Sequence, residues 1–564
     1  MRSAKYAFVF LLLFAVSGEA QIRMSEIEIF NRCYNRFVKK PLPTSTGSKG
    51  YTLAESVRSG QKKGAQACSE LIAYANLNGS GILANKDADE ARRIMETFHG
   101  LHISFFSTPA MTTFTSLSNM TILLKDIDEP ALYFTQALFA NKDPVTILTA
   151  NQSLRSVRES NYVANSNYTT ISIAPFHAAS YSASSDPRML LVWDHNTSSR
   201  DQRKASDLIY IRDVAYKAQL IEAGTDTAKK AIVDSAISSA ANTTRNLKTQ
   251  NIDDNRFIGQ GALLGIQSQE SLMAPIQPIR TSIAANGQTA AITADYQNHD
   301  LHWHMGGGVL GSQMYMLKTT NLSVNSIIGG TSANDPYTNS PRRFTSKIFE
   351  DLLCHTLPTL TEKDVAADVD AKSAHGFKQS ASCMRCHSTF DPLNGVYRNI
   401  LVGQTGNPLN NEARFFPARE RGSPVLTLVK MKSTTENIYA LKTASGALRF
   451  RDHKDNYVNT TVNSVAELGS TLSKNGDFYR CTAKRYYHFL TGVNVNLTSS
   501  DKDLSATAKK HKDFVYLLGR ILQGDLAGAE KTAYQSKQKS LKGMIDLIVN
   551  SETFSRRDLG TLED

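Results

Sequence analysis

The chain has 564 residues, 41% of them hydrophobic and 20% charged, with a formal net charge of +11. This is the balance of a globular protein, which excludes a wholly disordered or low-complexity chain, and the basic residues are scattered rather than clustered, which argues against a nucleic-acid partner. The length suffices for roughly three or four domains.

The first twenty residues, MRSAKYAFVFLLLFAVSGEA, begin positively at Arg2 and Lys5, continue through an apolar stretch over residues 7–16 and end in the small residues Gly18 and Ala20. That pattern predicts a secretory signal peptide over 1–20, because the apolar stretch is too short to span a bilayer and the small residues suit a signal peptidase. No later run of eighteen apolar residues exists, so the expected product is periplasmic or secreted, with no transmembrane anchor.

Residues 21–110 read as an N-terminal helical module. Ser25 with Glu28 forms a capping box, and Phe30, Cys33, Tyr34 and Phe37 then fall on one helical face. The same spacing recurs at Cys68, Leu71, Ile72 and Ala75, and again at Ala91, Ile94, Met95 and Phe98. A central region, 111–300, is expected to be mixed but mainly helical. It contains β-branched runs such as YTTISIA and MLLVW, with helical stretches around 205–240. GALLGIQS at 261–268 faintly echoes GGVLGSQM at 307–314, over too short a span for a repeat.

Residues 321–341, rich in Ser, Asn, Gly and Thr, read as a surface loop. Ile348, Phe349, Leu352 and Leu353 then predict a short helix carrying Cys354 near its end, within a region 301–420 that also holds the cysteine–histidine motif. A C-terminal helical module, 421–564, shows helices at 478–490 closed by Gly492, at 514–522, and through Leu541, Met544, Ile545 and Ile548. The predicted fold class is therefore mainly α, a multi-domain helical protein with long loops.

Of six cysteines, two lie in the motif SCMRCHSTFDPLNG, residues 382–395. At this composition a C-x-x-C-H run arises by chance about once in a thousand such chains, so it calls for a chemical reason. A c-type haem is attached through two thioethers, which need two thiols one helical turn apart, and the following histidine serves as the proximal iron ligand. Cys383, Cys386 and His387 meet those demands, and predict a haem c-binding segment with one haem. Zinc would want further ligands nearby, and a thioredoxin-like pair would want a buried strand before the motif and a long helix after it, whereas GFKQSAS is polar and STFDPLNG reads as an early turn. Phe390, Pro392 and Leu393 are candidates to cover the porphyrin, and Asp391 either starts a turn or hydrogen-bonds the ligand.

A sixth ligand is less sharply marked. Met431 is the distal candidate, against the reading that it is a core methionine, and His453 and His375 are weaker ones. His299, His302, His304 and Met305 concentrate possible ligands in HDLHWHMGGG, but with no acidic or cysteine partner they read as an interface, as do His99 and His102. The remaining four cysteines allow three pairings. Cys33 with Cys68 and Cys354 with Cys481 are preferred, since each pair joins neighbouring helices of one region.

RRFTSKIFEDLLCHTLP, SCMRCHSTFDP, FYRCTAKRYYHFLTG and IVNSETFSRR together resemble the planctomycete-type large exported cytochrome c proteins. The likeness covers roughly the last 260 residues and includes a Ser-x-x-Phe-x-x-Arg pattern at Ser551, Phe554 and Arg557. This chain departs from the family's Asp-Pro-x-Gly, since Asn394 delays Gly395 by one position. The resemblance implies a haem c protein with electron-transfer activity. A periplasmic or secreted c-type cytochrome is thus expected, passing single electrons to a redox partner protein or a small donor or acceptor, alone or within a larger oxidoreductase. The alternative is an exported surface-interaction protein in which the haem or a disulfide is structural.

Overall fold

A computed structural model describes residues 23–106, 128–160, 260–268, 306–312, 336–397, 444–498 and 500–556. It also describes paired strands at 168–173 with 245–250, 279–280 with 293–294 and 400–407 with 410–417, and helical positions at 315, 316 and 319. The leader, Met431, His299, His302, His304, Met305, Arg557 and the helices expected around 205–240 lie outside the described residues. The fold is mainly α, and each sheet among the described residues has two strands.

The N-terminal helices are α1 (Glu26–Val38), α2 (Lys49–Arg58), α3 (Gly64–Ala73) and α4 (Asp89–Ser104). The Glu28 carboxylate accepts from both the backbone N–H and the hydroxyl of Ser25 at 2.8 Å, fixing the start of α1 where the capping pattern put it. The helix α2 escaped the sequence reading because only Leu53, Ala54 and Val57 mark its apolar face. Its N-terminus is held by Glu90, which accepts from the N–H of Lys49 at 2.8 Å and of Gly50 at 3.0 Å, an acid where the helix dipole favours one.

Beyond these, α5 (Glu129–Phe139) leads to the antiparallel pair β1 (Leu154–Ser160) and β2 (Gln260–Ser268). The second half of the faint repeat, by contrast, is a 3-10 turn at Gly308–Gly311, so the two halves have no common structure. The helix α6 (Pro336–Leu353) starts inside the expected surface loop, with proline suited to a first helical turn.

Next come α7 (Glu362–Val365), α8 (Ala381–Asn394) and the hairpin β3 (Gly446–Arg451) with β4 (Tyr457–Val462). The chain closes through α9 (Val465–Leu472), α10 (Gly476–Thr491), α11 (Ala506–Gln523) and α12 (Leu541–Val549). Gly492 ends α10 at φ +82°, the left-handed conformation that glycine takes without strain.

One continuous apolar core runs from Met24 to Phe554. Phe98 of α4 stands at its centre, with the rings of Phe37, Phe139, Tyr486 and Phe489 at centroid distances of 5.2–6.2 Å. The N-terminal and C-terminal helices thus share one core, and the Met24 N–H donates to the Ser555 carbonyl at 2.8 Å. His99 and His102 are buried in this interface, where both Nδ1 atoms meet Thr135 Oγ1, at 3.0 and 2.8 Å.

Cys354, just past α6, is bonded to Cys481 of α10. Cys33 and Cys68 face each other across α1 and α3, fully buried, and both are thiols. Burial and the neighbouring Cys68 sulfur push the Cys33 thiol well above its ordinary range, which keeps it protonated and unreactive. Of the two preferred pairings, one is a disulfide and the other a contact.

Candidate functional site

Cys383, Cys386 and His387 all stand on α8. A polar 3-10 turn at Gly376–Gln379 precedes this helix, so no strand feeds it. The helix does not turn at Asp391 and Pro392 as the sequence suggested; it runs on to Asn394 with Pro392 inside it. Proline in a helix interior costs about 3 kcal/mol. Tertiary contacts at this end of the helix offset it: Thr345 of α6 reaches Asn394, and the Ser445 N–H donates to the Gly395 carbonyl at 3.0 Å. A Cβ at Gly446 would meet the Pro392 carbonyl oxygen at 2.8 Å, so only glycine lets β3 approach this closely.

Helical continuation places Asp391 one turn beyond His387, and the Asp391 Oδ2 to His387 Nδ1 distance is 2.8 Å. An ionised carboxylate only accepts, so Nδ1 is the donor in this contact, and in the neutral ring Nε2 is then the nitrogen with the lone pair. Asp391 is in turn fixed by Arg342 of α6, whose Nε donates to Oδ1 at 2.6 Å. Two rings enclose this chain of contacts. Phe377 stacks on the imidazole at 4.1 Å, Phe390 meets it edge-on at 4.9 Å, and the Arg342 guanidinium lies over both rings at 5.9 and 5.7 Å.

The remaining sides of α8 are tied down as firmly. Arg385 Nε donates to the Leu360 carbonyl at 2.8 Å and Ser388 Oγ to Asp368 at 2.7 Å. Asp368 also accepts from Arg449 of β3 at 2.9 Å, and Asp364 of α7 takes a bidentate pair from Arg451 at 2.7 and 2.8 Å. A separate apolar cluster of three buried residues, Leu360, Val365 and Met384, with Val369, Phe377 and Ala381 packed on it, is the core this segment has of its own among the described residues. Cys383 is exposed and Cys386 half-buried. Burial pushes the Cys386 thiol up, with the Arg385 charge opposing.

The donor set fits covalent haem: two accessible thiols one turn apart, an imidazole with Nε2 as the available nitrogen, and partly covered aromatic rings beside it. A dithiol redox pair fits less well. Cys383 does occupy the first turn of a helix, which the sequence reading had not granted, but a polar 3-10 turn and not a buried strand precedes it.

Leu393 is fully buried in the main core and is unavailable to cover a cofactor, whereas Phe390 and Pro392 are half-buried. The sequence assigned all three to the porphyrin because it could not tell the two faces of α8 apart. His375 is exposed and is stacked on Phe377 at 5.9 Å, and His453 is buried against Asp477 and His355. Arg342, Phe377 and Asp368 were not anticipated; of these only Arg342 carried a signal, as part of the RRF stretch ahead of the motif. No protein family, curated protein or solved structure matches the chain.

Proposed function

We propose that this protein is an exported c-type cytochrome that carries one covalent haem and passes single electrons. The observation that carries the reading is the helix α8, which presents Cys383, Cys386 and His387 on adjacent turns with His387 held in one tautomer by Asp391. In this reading Cys383 and Cys386 form the two thioethers and His387 Nε2 is the proximal donor. When bound, haem iron supplies the one-electron couple.

The chain's own residues set the conditions for that couple. Asp391 raises the donor strength of His387 and fixes the plane of its ring, while Arg342 keeps the carboxylate in place. Phe377 and Phe390 shield most of the imidazole, whose side chain remains 20% exposed. The Asp364–Arg451 and Asp368–Arg449 pairs fasten the segment to the β3–β4 hairpin, so the site moves with the body of the protein. A chain with a secretory leader meets the haem attachment machinery outside the cytoplasm, so that compartment is part of the proposal.

Potentiometric titration of the purified haem-loaded chain tests the reading. Reversible one-electron behaviour, with electron exchange with a small mediator, is expected. Haem that cannot be cycled would leave it a structural group and overturn the carrier role.

A further inference from the structure

Away from α8, three other side chains converge beside the disulfide. His355 follows Cys354 at the end of α6, His453 sits in the β3–β4 turn, and Asp477 lies in the first turn of α10, four residues before Cys481. His355 Nε2 is 2.8 Å from Asp477 Oδ2 and His453 Nδ1 is 3.3 Å from Asp477 Oδ1. The two imidazole rings face each other at 4.2 Å. The side chains of His453 and Asp477 are 0% exposed and that of His355 is 6% exposed.

We propose that His355, His453 and Asp477 form a buried binding site for a divalent transition-metal ion, zinc by the chemistry of its donors, that clamps α6, the β3–β4 turn and α10 together.

Two independent observations point to a ligand here. The first is geometric: one donor atom from each of the three residues lies within 4.8 Å of the others, and the His355 Nε2–Asp477 Oδ2 separation of 2.8 Å is within about half an ångström of the edge, about 3.3 Å, of a tetrahedron with metal–donor bonds near 2.0–2.1 Å. The second is an unmet demand. Neither ring nitrogen of His453 makes a hydrogen bond of good geometry, although the side chain is wholly buried, beside the Cys354 backbone and with Nδ1 3.3 Å from Asp477 Oδ1. A neutral imidazole has one donor and one acceptor to satisfy, and each left unmet in the interior costs roughly 1–3 kcal/mol. A cation at Nδ1 satisfies that nitrogen.

The local contacts are consistent with this use. Arg480 Nη1 donates to Asp477 Oδ1 and the His453 backbone N–H reaches both carboxylate oxygens, at 3.2 and 3.0 Å, so the Oδ2 lone pair that faces His355 Nε2 is the one offered to the metal, and the guanidinium lies over the Tyr516 ring at 4.9 Å. His355 then takes its proton on Nδ1 to free Nε2. Three protein donors leave a fourth position for water, the coordination of catalytic zinc sites, but the burial of all three side chains closes that position to a substrate and leaves the ion a clamping role.

Zinc chloride titrated into the full-length protein carrying Cys383→Ser and Cys386→Ser tests the site without interference from the α8 thiols. One zinc per chain is expected, with a higher thermal midpoint. His453→Leu should lower zinc affinity at least about a hundredfold yet leave the apo protein folded, since it removes the unmet nitrogens, and His355→Asn should weaken binding comparably. No zinc bound by the parent, or unchanged zinc binding in both variants, overturns the proposal. Should His453→Leu fail to fold, His355→Asn alone decides it.

Discussion

His387 and Asp391 stand one helical turn apart on α8, joined by a 2.8 Å contact that selects the imidazole tautomer. In the cytochrome reading this contact tunes the site without building it. Asp391→Asn is therefore expected to leave both thioethers intact and to raise the midpoint potential. Loss of a comparable outer partner changes metal affinity by roughly tenfold or more, and a tenfold bias toward the reduced state is on the order of 60 mV for one electron. Potentiometry on the haem-loaded variant reads the shift, and an unchanged potential would remove Asp391 from the site.

Leu393 belongs to the main core and Phe390 to the site. Leu393→Ala is expected to lower unfolding free energy by roughly 2–5 kcal/mol while leaving the absorption spectrum of the native protein alone. Urea titration alongside the spectrum distinguishes this from a cofactor-covering role, for which the spectrum would change first.

The Cys354–Cys481 bond closes a span of 127 residues, for which chain entropy gives about 5 kcal/mol. Replacing both cysteines by serine should lower stability by an amount of that order in denaturant. Thiol titration of the haem-loaded chain, unfolded without reductant, should count Cys33 and Cys68 and nothing else, because the other four sulfurs are then in thioethers or the disulfide. A count of zero would show Cys33 bonded to Cys68.

Much of the helical frame was legible in the sequence, and the reason is periodicity. Phe30, Cys33, Tyr34 and Phe37 repeat at helical spacing and are all buried, as are Leu541, Met544, Ile545 and Ile548. The motif cysteines and His387 were legible as chemistry because their spacing is itself the signal. What stayed hidden depended on contacts between distant residues. Arg342 reaches Asp391 across 49 positions and His355 meets Asp477 across 122, and neither pair has a local pattern. The Asp-Pro pair misled for the opposite reason: its local preference is for a turn, and the contacts of α8 with α6 and β3 override it.

Acid should loosen the site's attachment late. The bidentate Arg451 contact holds the Asp364 carboxyl far below the usual carboxylate range, against the opposing effect of burial and with Thr361 hydrogen bonds adding to it. A depressed folded value contributes stability that is complete above the unfolded value, near pH 3.9, and drains away as the pH falls toward the folded one. Asp364→Asn is expected to reduce stability at pH 7 and to flatten its fall below about pH 4. Chemical denaturation across pH 2–7 checks both, and a variant with the parent's acid profile would refute the assignment.

The central claim is covalent haem on α8, and a pyridine haemochrome spectrum of the denatured protein tests it most directly. The chain is expressed with its leader in a host that attaches haem c, with export verified. The expected result is a c-type band that stays with the polypeptide at one haem per chain and is lost when Cys383→Ala and Cys386→Ala are combined. An exported chain without that band would contradict the cytochrome reading and leave Cys383 and Cys386 as thiols of a helical protein with another task.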